Sequence, residues 1–225
     1  MPPANETAYP WKRNPMPLEI LTYVLGSLSN NTYCAVDQAA RQAVIIDPSF
    51  GARKVLDDLH ARGLSLSAVW LTHAHFDHIA GVKEILSALP APVPVGLHPL
   101  DLPLWREDGG AGTWGYHFNA GPDPDLLWQP DQTAAVGDST AVVRHTPGHT
   151  PGHVVFIFAQ DHVVFTGDLI FRRSVGRTDL PGGDGQALAE SIRSHIYTLP
   201  PETVLFSGHG PQTTVGEELD ENPYV

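Results

Sequence analysis

The run Thr72, His73, Ala74, His75, Phe76, Asp77, His78 constrains this chain more than any other feature in it. Four side chains able to ligate a metal, His73, His75, Asp77 and His78, fall within it. They follow an apolar stretch, residues 66–71, that reads as a buried strand. They precede residues 77–89, where Ile79, Val82, Ile85 and Leu86 recur at helical spacing. The ligands therefore crowd the carboxyl end of a strand. An extended turn aims alternate side chains the same way, so His73 and His75 point together. Asp77 and His78 converge on them from the first helical turn. Imidazole and carboxylate donors suit zinc, iron or manganese.

Three later segments share one local pattern. His149 lies in Thr146, Pro147, Gly148, His149, Thr150; Asp168 ends Phe165, Thr166, Gly167, Asp168; His209 sits in Ser207, Gly208, His209, Gly210. A glycine stands immediately before each ligand, and the last two follow predicted strands. Glycine allows a sharp turn and a close backbone approach to an ion. Seven such ligands suffice for two metals sharing the Asp168 carboxylate. A lone histidine on an apolar face is more often a hydrogen-bonded core residue, and His60, His98, His117, His162 and His195 are read as surface or hydrogen-bonding residues. His145 and His153 flank His149 and are candidates to support a ligand. Asp47, at the end of an early strand, is a candidate anchor for a ligand histidine, with a capping or turn role as the alternative.

The rest of the chain frames these segments. Its 225 residues suit one sizeable domain. Residues 1–17 read as an N-terminal arm and residues 18–225 as a single domain. Strands are expected at 18–25, 31–36 and 43–46, forming an antiparallel meander, then a helix at 54–61 and a strand at 93–97. Residues 98–131 are dense in Gly, Pro and Trp and predict a long irregular insertion with a short helix near 100–105. Its aromatics, Trp105, Trp114, Tyr116 and Phe118, either wall a substrate cleft or pack beneath the loop. Strands resume at 141–145, 154–158 and 163–166, followed by a helix at 186–197 and a strand at 204–206. The net charge of −12 argues against nucleic-acid or anionic-membrane partners, which need a basic face. A single cysteine, Cys34, excludes an intrachain disulfide. No secretory signal is evident, and no apolar run approaches the roughly 20 residues of a membrane helix, so a cytoplasmic protein is expected.

Thr72 to His78, with His149, Asp168 and His209 following in order, resembles the signature of the metallo-β-lactamase fold superfamily. The resemblance spans about residues 18–224. It implies an α/β fold, a four-layer αβ/βα sandwich with metals at one edge between two sheets. It also implies that His73, His75 and His149 bind one metal, that Asp77, His78 and His209 bind the other, and that Asp168 bridges. Within the superfamily, Thr146 to His153, Gly176 to Gly183 and Gly208 to Thr214 look like glyoxalase II (hydroxyacylglutathione hydrolase), most of all its short bacterial type II members. The long glyoxalase II enzymes carry a C-terminal helical domain whose basic residues hold glutathione carboxylates; this chain ends at Val225. Arg177 and Asp179 stand where those enzymes have Lys and Tyr. Cys34 lies far from every ligand motif, so the cysteine-containing site of class B1 lactamases is not expected. His75, in place of a glutamate, disfavours the diiron flavoprotein branch.

The resemblance implies a metal-dependent hydrolase acting on a small-molecule thioester such as S-lactoylglutathione. Two divalent ions, zinc first with iron or manganese as alternatives, would acidify a bridging water to hydroxide, which attacks the carbonyl carbon. Asp77 is the candidate catalytic residue, orienting that hydroxide. A thiolate, with a pKa of roughly 8.5, leaves without a dedicated acid. Arg177 is a candidate to hold a substrate carboxylate, with an ion pair to Asp179 as the alternative. The rival expectations are an iron-dependent persulfide dioxygenase, whose branch has Asp-Tyr where this chain has Gly210 and Pro211, and a lactonase of the same fold. The oligomeric state is not legible.

Overall fold

The computed structural model describes residues 17–225; the expected arm, apart from Pro17, lies outside the described residues. The opening meander forms as its patterning predicts. Strand β1 (Glu19–Leu25) pairs antiparallel with β2 (Asn30–Asp37), and β2 with β3 (Gln42–Ile46). Helix α1 (Arg53–Ala61) buries Val55 and Leu59 and returns the chain to β4 (Ser65–Trp70), which runs parallel to β3. Such a crossover is the standard way to join parallel neighbours.

The single helix expected at 77–89 is two helices, α2 (Phe76–Ile79) and α3 (Val82–Ala88). The break has a local cause. Gly81 donates its backbone N–H to Pro48 O at 2.8 Å, and a Cβ there would lie 2.3 Å from Ser49 O. The chain thus trades one long helix for close contact with the loop that carries Asp47. Strand β5 (Val95–Leu97) follows, then a 3-10 turn over Pro99–Asp101, α4 (Leu102–Arg106), a second 3-10 segment over Asp108–Trp114, and β6 (Leu126–Leu127).

Strands β7 (Thr133–Val136), β8 (Ser139–His145), β9 (Val154–Phe158) and β10 (Val163–Gly167) make an antiparallel meander. A small hairpin, β11 (Ile170–Phe171) and β12 (Ser174–Val175), precedes α5 (Gly185–His195). Asp184 caps α5 by accepting from the N–H groups of Gln186 and Ala187, and Arg193 and His195 sit in its last turn. Strand β13 (Val204–Ser207) lies parallel to β10, β14 (Thr213–Thr214) is at the edge, and α6 (Val215–Glu221) closes the chain. Residue pattern alone had not suggested β6, β7, β11, β12, β14 or α6; four of these strands are only two residues long.

Each sheet has six strands, in the orders β1-β2-β3-β4-β5-β6 and β14-β13-β10-β9-β8-β7. Both are covered on both faces, and the side-chain alternation shows it. Cys34, Val36 and Ile45 pack towards the helices, whereas Tyr33, Ala35 and Ile46 pack towards the second sheet. In β9, Phe156 and Phe158 face the first sheet and Val155 and Ile157 face α5. Three apolar cores thus separate four layers, helices–sheet–sheet–helices. The middle core holds Trp70, Trp128, Phe156, Phe158 and Phe165, each aromatic stabilising the sandwich by roughly 1.5–3 kcal/mol through burial. This is the αβ/βα sandwich of the expectation. Among the described residues no helix is long and apolar enough to cross a membrane.

At one edge the sheets are stitched together by backbone: Asn31 N donates to Gly208 O (2.7 Å), Val154 N to Thr72 O (2.8 Å), and Gly208 N to Gly167 O (2.8 Å). Strands β4, β8, β10 and β13 all end at this edge, with the four loops that carry the ligands.

Candidate metal centre

The structure brings all seven expected ligands to that edge. His73, His75 and His149 offer ligand atoms that lie within 4.8 Å of one another, and Asp77, His78 and His209 do the same. Asp168 lies between the two groups: Oδ1 is 3.3 Å from His78 Nε2, and Oδ2 is 3.6 Å from His149 Nε2 and 3.7 Å from His209 Nε2. Asp77 Oδ2 is 3.1 Å from His209 Nε2.

Hydrogen bonds on the far side of four of the five imidazoles, all but His75, decide which nitrogen faces inward. Asp47 accepts from Thr72 N (2.8 Å) and Thr72 Oγ1 (2.6 Å). With its proton given to Asp47, Thr72 Oγ1 accepts from His73 Nδ1 at 3.0 Å. His73 Nε2 is left with a free lone pair and is buried without a partner. His78 Nδ1 donates to Asp47 Oδ2 (3.0 Å), His149 Nδ1 to Arg177 O (2.8 Å), and His209 Nδ1 to Leu28 O (3.2 Å). In each, Nε2 is the atom turned to the cluster, the arrangement that orients metal-binding histidines. Asp47 thus takes the anchoring role read as one of its two alternatives. It also groups geometrically with His73 and His78, but both of its oxygens are engaged.

These donors fit a metal better than they fit one another. Burial, and then the neighbouring His149, hold His75 down at about 3, so its imidazole is neutral. Yet His75 Nδ1 and His149 Nε2 face each other at 2.8 Å. His73 is also held far below its usual value, by burial first and then by His78 and the other rings. Burial opposes charge on His78 and His209, but the carboxylates and their hydrogen bonds outweigh it and raise both. Asp77 and Asp168 are lowered despite burial because His78 and its companions surround them. A buried cluster with an orphaned His73 Nε2 and an orphaned Asp168 Oδ1 is a set of lone pairs without an acceptor for them. Divalent cations supply that acceptor.

Two glycines show how closely the rim is packed. A Cβ on Gly208 would lie 2.2 Å from Asp168 Oδ1 and 2.7 Å from His78 Cε1; one on Gly176 would lie 1.8 Å from Asp168 O. No other residue type fits either place.

Sequence reasoning missed Asp101. This fully buried carboxylate accepts from Ala74 N (3.0 Å), Thr150 Oγ1 (2.8 Å) and Gly152 N (2.6 Å). It ties the loop between His73 and His75 to the loop that carries His149. It stands in the irregular insertion, where no periodicity marks it, and only the folded contacts reveal it. His153 is buried with Nδ1 against Thr146 Oγ1 (2.9 Å), its ring 5.3 Å from that of His73. His145 bonds Pro151 O (2.8 Å) and stacks on His98 at 4.3 Å; neither His145 nor His153 joins a ligand group. His98, expected to be surface or hydrogen-bonding, is buried and caps the first 3-10 turn by accepting from Leu100 N at 3.3 Å.

The cluster forms the floor of a cavity of about 870 Å³. The insertion supplies one wall, including Leu104, Glu107, Trp114 and Tyr116; Phe171, Arg177 and Leu180 stand on another. The insertion aromatics divide between the two expected roles: Trp114 and Tyr116 line the cavity, whereas Trp105 is 2% exposed in the core and Phe118 packs on Phe50. Arg177 lines the cavity, but its guanidinium is held by both oxygens of Asp179, at 2.7 and 2.8 Å.

Known proteins resemble this arrangement. The chain is 34% identical over 219 residues to the probable metallo-hydrolase YqgX of Bacillus subtilis (strain 168), covering 96% of this chain and 97% of that one. It is 32% identical to the hydroxyacylglutathione hydrolase GloC of Haemophilus influenzae, covering 82% and 88%. The crystal structure of TTHA1623 in a di-iron-bound form superposes with a TM-score of 0.82 at 41% identity, covering 91% of this chain and all of that one. A sequence model of the metallo-beta-lactamase superfamily matches residues 28–209, from the loop before β2 to the last ligand. The chain belongs to the metallo-β-lactamase superfamily.

Proposed function

We propose that the protein is a metal-dependent hydrolase of thioesters, of the hydroxyacylglutathione hydrolase kind. The observation that carries this reading is the meeting of two complete ligand triads at Asp168 on the floor of the cavity. Divalent cations held there supply Lewis acidity, which acidifies water and polarises a carbonyl.

The chain's own residues do the rest. Asp77, kept ionised near neutral pH by His78 and His209, accepts a hydrogen bond from the attacking water and fixes its lone pair towards the substrate. Asp47, Thr72 and the Arg177 carbonyl hold the ligand imidazoles, so the site reorganises little as charge develops. The apolar part of the wall, with Leu104, Phe171 and Leu180, excludes bulk water from the acyl carbon. Besides the ligands, the ionisable groups lining the cavity among the described residues are Glu107, Tyr116 and Arg177. Tyr116 is tied to Ser27 (2.7 Å) and Arg177 to Asp179. Among the described residues, the cavity lining offers no buried acid outside the ligand set to protonate a departing amine. A thiolate of pKa roughly 8.5 departs without one. The relative GloC, named for hydroxyacylglutathione hydrolysis, supports the same substrate class.

The test is thiol release from S-D-lactoylglutathione and S-acetyl-N-acetylcysteamine by the metal-loaded protein, with metal content determined on the same sample. Turnover that disappears on chelation and in His75→Ala is the expected result. One iron per chain, oxygen uptake on glutathione persulfide and no thiol release would overturn the reading in favour of a dioxygenase.

A further inference from the structure

The ligand floor receives the reacting carbonyl, so the thiol carrier of a substrate must lie against the cavity wall. Beyond the ligands, that wall carries two charged side chains, Glu107 and Arg177. They are not equivalent. Arg177 gives Nε–H and one Nη2–H to Asp179 in a bidentate pair, and its guanidinium carbon lies 5.6 Å from the centre of the Trp114 ring. Its charge is balanced by Asp179, and one face of its guanidinium lies over the insertion. Glu107 ends α4 and turns into the second 3-10 segment through backbone bonds alone, Glu107 N to Leu104 O and Gly110 N to Glu107 O. Its exposed carboxylate has no hydrogen-bond or ion-pair partner among the described residues. Among the described residues the wall therefore carries a net negative charge, with Arg177 paired and Glu107 unpaired.

We propose that this wall selects thioesters whose thiol carrier ends in a cationic or neutral group without carboxylates, with Glu107 as the specificity-determining residue. The inference rests on the thioester reading above and ranks its substrates: glutathione thioesters are turned over, but less well than thioesters of cationic or neutral carriers. A carrier such as glutathione would place its carboxylates against Glu107, with the one guanidinium lining the wall among the described residues already paired to Asp179, whereas an ammonium group would find an unpaired carboxylate. Glu107 is exposed, so the effect is that of a partly screened charge, about threefold to tenfold in selectivity.

Two measurements separate this inference from the reading beneath it. The first is equilibrium binding to the metal-loaded protein of three thioethers that cannot be hydrolysed: the S-propyl derivatives of thiocholine, N-acetylcysteamine and 3-mercaptopropionate. The second is turnover of the S-acetyl thioesters of the same three thiols. In the wild type the affinity order is expected to be cationic, neutral, anionic. The ratio of cationic to anionic affinity falls about threefold to tenfold in Glu107→Gln and inverts in Glu107→Lys. Asp179→Asn, which releases Arg177, raises the affinity for the anionic ligand. Equal affinities across the series, an anionic preference in the wild type, or no saturable binding of any ligand overturns the inference. The expected order in binding with no hydrolysis of any thioester overturns the thioesterase reading instead, leaving the charge selection supported.

Discussion

The cavity is bounded by two regions built on opposite principles. Its floor is a rim of strand ends where His73, His78 and His149 are buried beside the half-buried Asp168, and Gly208 and Gly176 leave no room for a methyl group. Its outer wall is the insertion, where Asp108–Trp114 runs as 3-10 turns broken by positive φ at Gly109 and Gly110 and leaves Trp114 51% exposed. A Cβ on Gly112 in that wall would meet nothing within 4 Å. Close packing on three sides gives the floor one geometry, which chemistry at a metal requires. Away from Asp101 and from Gly109, where a Cβ would lie 2.3 Å from Phe76 N, the wall carries few such constraints and can differ in shape and charge without disturbing the ligands. Chemistry and selectivity are thus assigned to separate parts of the chain.

A matched pair of substitutions breaks or sharpens that contrast most strongly. Gly208→Ala drives a methyl group into Asp168 and His78, and is expected to lower hydrolysis by about a hundredfold or more and to cut bound metal per chain. Gly112→Ala makes the same chemical change in open space and is expected to leave metal content at the wild-type value. Elemental analysis of the two proteins decides the matter; equal metal loss in both would erase the distinction.

Asp101 is the next largest effect, because it belongs to the insertion by sequence and to the floor by contact. Asp101→Ala leaves Ala74 N, Thr150 Oγ1 and Gly152 N without their acceptor. A loss of about 2–4 kcal/mol in stability follows, read by chemical denaturation, together with a tenfold to hundredfold weaker metal affinity read by competition with a chelator.

On the outer wall, Trp114→Ala removes the partner of the Arg177 guanidinium, an exposed contact contributing about 0.5–1 kcal/mol. A rise of a few-fold in KM with unaltered metal content is expected; loss of metal instead would join this wall to the floor.

The smallest effect is on pH dependence. Burial, with His145 stacked on it, pushes His98 down to about 4. Between its ordinary value of 6.5 and about 4 the unfolded chain takes up a proton that the folded chain refuses. Stability therefore falls as pH drops through that window and levels off below it. In metal-free protein, His98→Gln is expected to show a smaller drop in Tm from pH 7 to 4 than the wild type. An identical slope would show that His98 titrates normally.

The same contrast explains what could be read from the residues alone. Ligands at the floor announce themselves because each breaks an apolar strand pattern with a histidine or aspartate, and because close approach demands the glycine before it, as at Gly167 and Gly208. The meander and the helices at 54–61 and 186–197 follow from periodicity. What escaped was set by tertiary contact. Gly81 reads as tolerable within a helix until the loop at Pro48 and Ser49 packs against it. The two-residue strands β11, β12 and β14 are too short to carry a period, and Asp101 has no motif around it. The pairing of Arg177 with Asp179 was one of two readings, and only the bidentate geometry separates them.

The most direct test of the floor's design is metal stoichiometry in the wild type and in Asp168→Asn, measured by elemental analysis of protein purified without added metal. Two divalent ions per chain in the wild type, with both sites weakened together in the variant, is the expected result, because Asp168 lies within reach of ligands from both triads. A variant that keeps one ion at full occupancy, or a wild type that never holds more than one, would contradict a centre shared through Asp168.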